Sequence, residues 1–168
     1  MIPLELNIEK ISRISKQKEN ENYRFRSFLK GQDSDKVDEI VHRLNKEIVE
    51  DINCADCGNC CKELRPGLTE SEIVKLSKIE NLSQKNFVTS FTEQDEMENS
   101  KYLKDTPCKY LEDKKCIIYI ERPEDCKSYP HIHKEDFNSR TLGVIQNYGI
   151  CPIVFNVFER LKNEMRFR

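Results

Sequence analysis

Apolar residues recur at intervals of three or four along much of the chain, which is the spacing of helices that bury one face. Thr69 and Glu72 add a capping box, in which two side chains satisfy backbone N–H groups at the start of a helix. Pro123 can open one further helical turn, because proline is tolerated at the first helical position. The pattern therefore predicts helices at about residues 7–29, 34–52, 70–79, 83–91 and 152–165.

Strand signals are brief in this sequence. Residues 116–120 read CIIYI and form the best strand candidate, and the polar residues 112–115 predict a turn that would make a small hairpin. Residues 93–101 are polar and acidic, which predicts an exposed loop. We expect a mainly α fold with a small β-hairpin, in which helices frame an irregular cysteine-rich core.

Charge narrows the choice of partners. The 168 residues include 28 basic and 30 acidic side chains, a net charge of -2, so no long-range field attracts nucleic acid or an anionic membrane. The N-terminal residues contain no apolar run that could serve as a signal-peptide core, and no stretch of about twenty residues could span a bilayer. We expect a cytoplasmic protein without a nucleic-acid or membrane partner.

Eight cysteines stand out in this composition, and residues 54–61, which read CADCGNCC, hold four of them. The thiol pool of the cytoplasm keeps cysteines reduced, which argues against a disulfide framework and for metal ligation. Most of the eight stand at predicted turns and helix starts, where side chains can converge on one ion. Cys116 also fits a buried core position, and His131 and His133 are reserve ligands. The eight are Cys54, Cys57, Cys60, Cys61, Cys108, Cys116, Cys126 and Cys151.

The spacing of these cysteines leaves the kind of site open. Cys54, Cys57 and Cys60 repeat C-x2-C twice, the run that holds cubane iron–sulfur clusters, and Cys151, followed by proline, would supply a fourth ligand. Two four-cysteine zinc sites would instead use all eight thiols. A thioredoxin-like redox pair fits less well, because a helix rather than a strand leads into the motif. The spacing favours an iron–sulfur cluster over zinc, and disulfides or unbound reactive thiols are the remaining alternatives.

Four segments of the chain resemble the CxxCxxCC, or YkgJ-type, cysteine-cluster family, whose members are described as zinc- or iron-chelating: CADCGNCC, PCKYL, CIIYIERPEDCKSYP and CPIVFNVFERLK. The resemblance implies a metal-binding domain over residues 54–168, preceded by an N-terminal helical extension over residues 1–53. The metal ligands that it implies are Cys54, Cys57, Cys60, Cys61, Cys108, Cys116 and Cys126, with Cys151 as a further ligand.

The resemblance also implies a role for residues beside the cysteines. Tyr119, Arg122 and Pro123 match the I-Y-x-x-R-P element of the family, and we expect the arginine to donate to thiolates or to a bound anion. Tyr119 and Arg122 are therefore predicted to contact the cofactor, which would be zinc, iron or an iron–sulfur cluster.

Two classes of function are open. Through its cysteine motif the family is similar to flagellin lysine methylases, for which an iron–sulfur-dependent methyl transfer is proposed, so a group-transfer enzyme is the alternative. We favour a metal carrier, sensor or accessory module, because no nucleotide-binding glycine loop and no obvious acid–base pair accompany the cysteines.

Overall fold

The protein is described by a computed structural model that covers residues 3–95 and 99–168. Contacts divide the chain into two units, unit 1 (Met1–Asn53 and Pro130–Arg168) and unit 2 (Cys54–Tyr129). In chain order the helices are α1 (Ile8–Gln17), α2 (Glu19–Leu29), α3 (Ser34–Val49), α4 (Cys54–Cys57), α5 (Cys60–Glu63), α6 (Glu70–Ile79), α7 (Gln84–Phe91), α8 (Glu124–Ser128), α9 (Phe137–Tyr148) and α10 (Pro152–Glu164). The strands are β1 (Gly67–Leu68), β2 (Thr92–Gln94), β3 (Lys101–Leu103), β4 (Leu111–Glu112) and β5 (Lys115–Cys116).

Unit 1 is a helical bundle in which α10 packs against α1, α3 and α9. The ring of Phe158 lies 5.1 Å from that of Phe25 and 5.8 Å from that of Tyr148, so aromatic side chains of α2, α9 and α10 meet in its centre. Its buried aliphatic side chains include Ile11, Leu29, Val37, Val41, Leu44, Ile48, Val144, Val154, Val157 and Leu161. The amphipathic patterns of the N-terminal and C-terminal segments therefore form one common core.

A buried lysine joins two helices of unit 1. Lys162 of α10 is 4 % exposed, and its ammonium donates to Glu21 at 2.7 Å, Asn22 at 2.6 Å and Glu159 at 2.7 Å. Such a charge is tolerated in an interior only when it is paired and hydrogen-bonded. The interaction thus ties α2 to α10 by a network that the apolar pattern does not reveal.

The helix boundaries of unit 1 differ from the prediction in two places. The predicted helix over residues 7–29 is divided into α1 and α2 at Lys18, whose backbone leaves the helical region with φ -98° and ψ 10°. Helix α9 was not predicted, although its buried residues Phe137, Val144, Ile145 and Tyr148 have helical spacing. Gly143 in its middle lowers helix propensity. The C-terminal helix begins at Pro152, as predicted.

Unit 2 combines helices α4 to α8 with two small antiparallel sheets, as far as the structure describes it. Strands β1, β3 and β2 pair in that order, and β4 pairs with β5 in a hairpin. The predicted capping box at the start of α6 is present, because the Thr69 hydroxyl accepts from the N–H of Glu72 and the Glu72 carboxylate accepts from the N–H of Thr69. The core of the unit consists of Ile73, Leu76, Phe87, Leu103 and Tyr110.

The predicted strand over residues 116–120 is wrong beyond its first residue. The hairpin forms, but β5 ends at Cys116, and the N–H of Ile117 donates to the carbonyl oxygen of Tyr110 at 2.9 Å. Its partner β4 has only two residues, because it follows a turn in which the N–H of Leu111 donates to Cys108 at 2.9 Å. Of the apolar side chains that follow β5, Ile118 packs against the core of unit 2. Ile117, Tyr119 and Ile120 lie at the surface, where Ile120 is 83 % exposed.

The predicted loop over residues 93–101 is wrong at both of its ends. Residues 92–94 form β2 and residues 101–103 form β3, paired with each other. Residues 96–98 of that predicted loop lie outside the described residues. The polar side chains of this hairpin gave no strand signal in the sequence, because β-structure depends on pairing as well as on side-chain type.

At the level of fold class, the prediction of a mainly α protein with a small hairpin is confirmed. The division into an extension over residues 1–53 and a domain over residues 54–168 stays a prediction. In the contacts of the chain, residues 130–168 group with residues 1–53. In the described part of the chain, none of the helices has the length and apolar character needed to cross a membrane.

Candidate metal centre

Seven of the eight cysteines belong to unit 2, whereas Cys151 belongs to unit 1. Cys151 immediately precedes α10 and is 7 % exposed, among the apolar side chains of unit 1. The reserve ligands His131 and His133 also belong to unit 1. A site built within unit 2 therefore has seven cysteines to draw on.

The segment over residues 54–63 folds into the single-turn helices α4 and α5, between which Gly58 adopts φ 61°. Glycine takes this left-handed conformation without a steric penalty. A Cβ at Gly58 would lie 2.5 Å from the carbonyl oxygen of Lys114, in the turn between β4 and β5. The glycine therefore allows the cysteine-rich segment to approach the hairpin that carries Cys116.

Backbone hydrogen bonds keep Cys61, Cys108 and Cys116 near one another. The N–H of Cys108 donates to the carbonyl oxygen of Cys61 at 2.7 Å. Cys116 lies opposite Leu111 in the β4–β5 hairpin, and the N–H of Leu111 donates to the carbonyl oxygen of Cys108 at 2.9 Å. Cys108 and Cys116 also pack against the core of unit 2. Three cysteines from distant parts of the sequence are thus held by one set of backbone contacts.

Two carboxylates hold α8, the short helix that carries Cys126. The Oε1 of Glu72 accepts from the N–H of Glu124 at 2.6 Å, and the Oδ2 of Asp125 accepts from the N–H of Gly67 at 3.0 Å. Burial alone would raise the pKa of Glu72, but hydrogen bonds from the backbone of Glu124 and from Thr69 lower it. A helix this short has little stability of its own, so these contacts fix the place of Cys126.

Four thiols interact with one another electrostatically: Cys61, Cys108, Cys116 and Cys126, here called the quartet. Burial first, and then the charges of the other three, raise the pKa of Cys126 to about 12. Burial is also the main cause that raises the pKa of Cys108 and of Cys116, and Cys61 adds to both shifts. Cys116 is a neighbour of Cys108 as well, so all six pairs within the quartet interact. A bound cation would relieve this mutual repulsion of thiolates.

Cys61 is the most acidic of these thiols. A hydrogen bond with Cys60 is the main cause that lowers the pKa of Cys61 to about 7, and the guanidinium of Arg122 lowers it further against the opposing effect of burial. A thiol with this pKa is partly ionised near neutral pH, and the thiolate is the form that binds metals.

Cys54 and Cys57 form a second group on α4. Because they are three residues apart on one helical turn, their side chains share a face. Partial burial of the sulfur, and then the charge of Cys57, raise the pKa of Cys54, although the residue as a whole is exposed. These two cysteines are thus close to each other at the surface of unit 2.

Arg122 interacts electrostatically with thiols of both groups. Its positive charge favours the thiolate forms of Cys54, Cys61 and Cys116. The guanidinium carbon stands 3.7 Å from the centre of the Tyr119 ring, and one guanidinium nitrogen donates to the backbone oxygen of Tyr119. The predicted cofactor-contacting residues Tyr119 and Arg122 are therefore in contact with each other and close to the cysteines.

The donor set of unit 2 suits zinc and iron, because both metals take thiolate ligands in proteins. In the described part of the chain, no three His, Cys, Asp or Glu side chains are already arranged to hold one metal ion. A cysteine sulfur is repositioned by rotation about χ1 alone, without backbone movement. The donor chemistry thus fits these metals, and which cysteines share an ion stays a prediction.

Three residues that position the cysteines were not predicted. Gly58 offered a local signal, since a glycine inside a run of cysteines is typical of a left-handed turn position. Glu72 was predicted only as a capping residue and Asp125 was not predicted as an anchor. Their backbone partners lie 52 and 58 residues away, and no local pattern reports such pairs.

A cavity of about 620 Å³ lies in unit 1 and contains none of the predicted site residues. The carboxylate of Asp38 in its wall accepts from the N–H groups of Asp136 at 2.7 Å and Phe137 at 2.8 Å, so it caps the start of α9. The cavity is lined by Ser34, Asp35, Asp38, Glu39, His42, Glu135 and Asp136.

Comparison with known proteins identifies the cysteine-rich part of the chain. Residues 53–143 match the CxxCxxCC family, which is described as "Putative zinc- or iron-chelating domain". Neither a search of curated proteins nor a search of solved structures finds a match. Because the family match covers more than half of the 168 residues, the chain belongs to the CxxCxxCC family.

Proposed function

We propose that this protein binds zinc or iron through the cysteines of unit 2 and acts as a metal carrier, a metal sensor or a metal-bearing accessory module. The observation that carries the proposal is the quartet, whose four thiols interact in all six pairs. Partly buried thiols that interact in this way repel one another once ionised, and a bound cation relieves the repulsion. When bound, zinc would supply a structural or Lewis-acid centre, and an iron–sulfur cluster would supply electron transfer.

Arg122 is proposed to stabilise the metal-bound thiolates. Its charge interacts with Cys54, Cys61 and Cys116, and its stacking on Tyr119 fixes the orientation of the guanidinium. Several thiolates around a divalent ion leave a net negative charge, which a nearby guanidinium offsets. We further propose a cytoplasmic location, because the cysteines must stay reduced to bind metal.

Anaerobic purification followed by elemental analysis and a visible spectrum tests the proposal. Brown protein with iron and acid-labile sulfide would support the cluster that the C-x2-C-x2-C spacing favours, and colourless protein with stoichiometric zinc would support a zinc site. Protein that contains neither metal, and that takes up neither after reduction of its thiols, would refute the function.

Replacement of Arg122 by alanine tests the role of the guanidinium. We expect a lower metal content than in wild type, with Lys127→Ala, a change of another basic residue of unit 2, as the control. Unchanged metal content combined with loss of cellular activity would instead point to anion binding or to group transfer. We favour metal binding over group transfer, because no nucleotide-binding glycine loop and no obvious acid–base pair accompany the cysteines in the sequence.

A further inference from the structure

The cysteines of unit 2 differ in how firmly the fold holds them. Three members of the quartet, Cys61, Cys108 and Cys116, are linked through backbone hydrogen bonds and a hairpin. The fourth, Cys126, is carried by α8, which is anchored through the carboxylates of Glu72 and Asp125. The quartet is therefore carried by elements that backbone hydrogen bonds, the hairpin and two carboxylate anchors hold in place.

Cys54 and Cys57 are held much less firmly. They occupy the single turn α4, in which the N–H of Gly58 donates to the carbonyl oxygen of Cys54 at 3.4 Å, near the limit for a hydrogen bond. Of the eight cysteines, all of which the structure describes, Cys54 alone is exposed. An isolated turn of this length is marginal in water, so α4, which packs against β5, opens locally more readily than the elements that carry the quartet.

Contacts connect this pair to the quartet. Helix α4 packs against β5, the strand that carries Cys116, and the charge of Arg122 acts on Cys54 as well as on Cys61 and Cys116. The Cys60 thiol, in the helix that follows α4, is hydrogen-bonded to Cys61. Cys60 and Arg122 therefore connect the exposed Cys54 to the partly buried cysteines of the quartet.

We propose that the quartet of Cys61, Cys108, Cys116 and Cys126 retains the metal ion, and that Cys54 and Cys57 are an exchange pair through which the ion enters and leaves. The inference rests on the metal binding proposed above and assigns different roles to the cysteines that bind the metal. Each transfer step forms one metal–sulfur bond and breaks another, a thiol that binds releases its proton to water, and no electron is transferred.

Two double variants of the full-length chain separate the roles: Cys54→Ser with Cys57→Ser, and Cys108→Ser with Cys126→Ser. Lys62→Ser, an exposed change in α5, is the matched control. Each protein is reduced, freed of metal and loaded anaerobically with Co²⁺, whose thiolate charge-transfer and d–d bands report the ligand set. Circular dichroism checks that each variant retains its helices, and release of Co²⁺ to a competing chelator is followed with time.

The exchange-pair variant is expected to keep the cobalt content and thiolate bands of wild type but to load and release the ion roughly tenfold or more slowly. The quartet variant is expected to lose most of the cobalt and of the thiolate bands. Loss of most of the cobalt from the exchange-pair variant, measured against wild type, would overturn the inference, and so would unchanged exchange rates. These results depend on the exchange-pair variant and remain decisive if the quartet variant fails to fold. Failure of the proposed function would be recognised separately from these two overturning results, because the wild-type chain would then bind no metal.

Discussion

Replacement of Gly58 by alanine tests whether the cysteine-rich segment must pack directly against the β4–β5 turn. The new Cβ would stand 2.5 Å from the carbonyl oxygen of Lys114, whereas ordinary contact begins at 3.4 Å. The segment and the turn would therefore have to separate by about 0.9 Å. The left-handed backbone at φ 61° adds a penalty of roughly 1–2 kcal/mol for a residue with a Cβ. With overpacking at roughly 1–3 kcal/mol, we expect the free energy of unfolding of unit 2 to fall by about 2–5 kcal/mol.

The displacement has a consequence for metal binding. Metal–sulfur distances are fixed to within roughly 0.2 Å, so a separation of about 0.9 Å between ligand-bearing segments exceeds the tolerance of a site. Cys61 follows Gly58 closely and Cys116 follows the opposing turn. We therefore expect Gly58→Ala to lower metal content together with stability.

Gly143→Ala is the matched control for this substitution. Gly143 lies inside α9, and a Cβ there would meet nothing within 4 Å. Alanine in a helix interior is favoured over glycine by roughly 0.5–1 kcal/mol, so this variant should be as stable as wild type or slightly more so. Urea unfolding followed by circular dichroism, hydrogen exchange of peptides spanning residues 54–61 and 108–116, and elemental analysis measure the effects. If Gly58→Ala matches wild type in all three measurements, the close approach is not required.

Three further results are expected. Removal of metal with a strong chelator should lower the midpoint of thermal unfolding, because the free energy of binding adds to that of folding; an unchanged midpoint would mark the metal as incidental. In metal-free protein, alkylation of Cys61 should accelerate as the pH rises through about 7, because its pKa is about 7 and the thiolate is the reactive form. Cys126, whose pKa is about 12, should stay unreactive. Peptide mass spectrometry measures both alkylation rates, and equal rates at neutral pH would contradict this prediction. Lys162→Ala should lower the free energy of unfolding, measured in urea, by roughly 1–3 kcal/mol, because it leaves the buried amide oxygen of Asn22 and two partly buried carboxylates without their ammonium donor. Lys62→Ala, at an exposed position, is its control, and similar losses in both variants would exclude a special role for the buried network.

Much of the helical structure could be predicted from local sequence. The capping box of Thr69 and Glu72 and the proline at the start of α10 act within one helical turn, so the sequence contains the whole signal. Strands were predicted less well. Residues 117–120 have strand-like side chains without a paired strand, and residues 92–94 are paired although their side chains are polar. Pairing is a property of two segments, and one segment alone does not report it.

The sequence by itself determined the type of ligand that this protein offers, because seven cysteines lie between residues 54 and 126. Thiolates suit zinc or iron, and the family match supports binding of one of these metals. Ligand type is a property of each side chain and needs no fold to be recognised. Only the tertiary structure decided which thiols are neighbours. The backbone bond from Cys108 to Cys61 and the carboxylate anchors of α8 join segments far apart in the chain, and they form only when the core of unit 2 is assembled. The same packing placed Cys151 in unit 1, among apolar side chains, whereas the proline that follows it and the family resemblance had suggested it as a ligand, which stays a prediction.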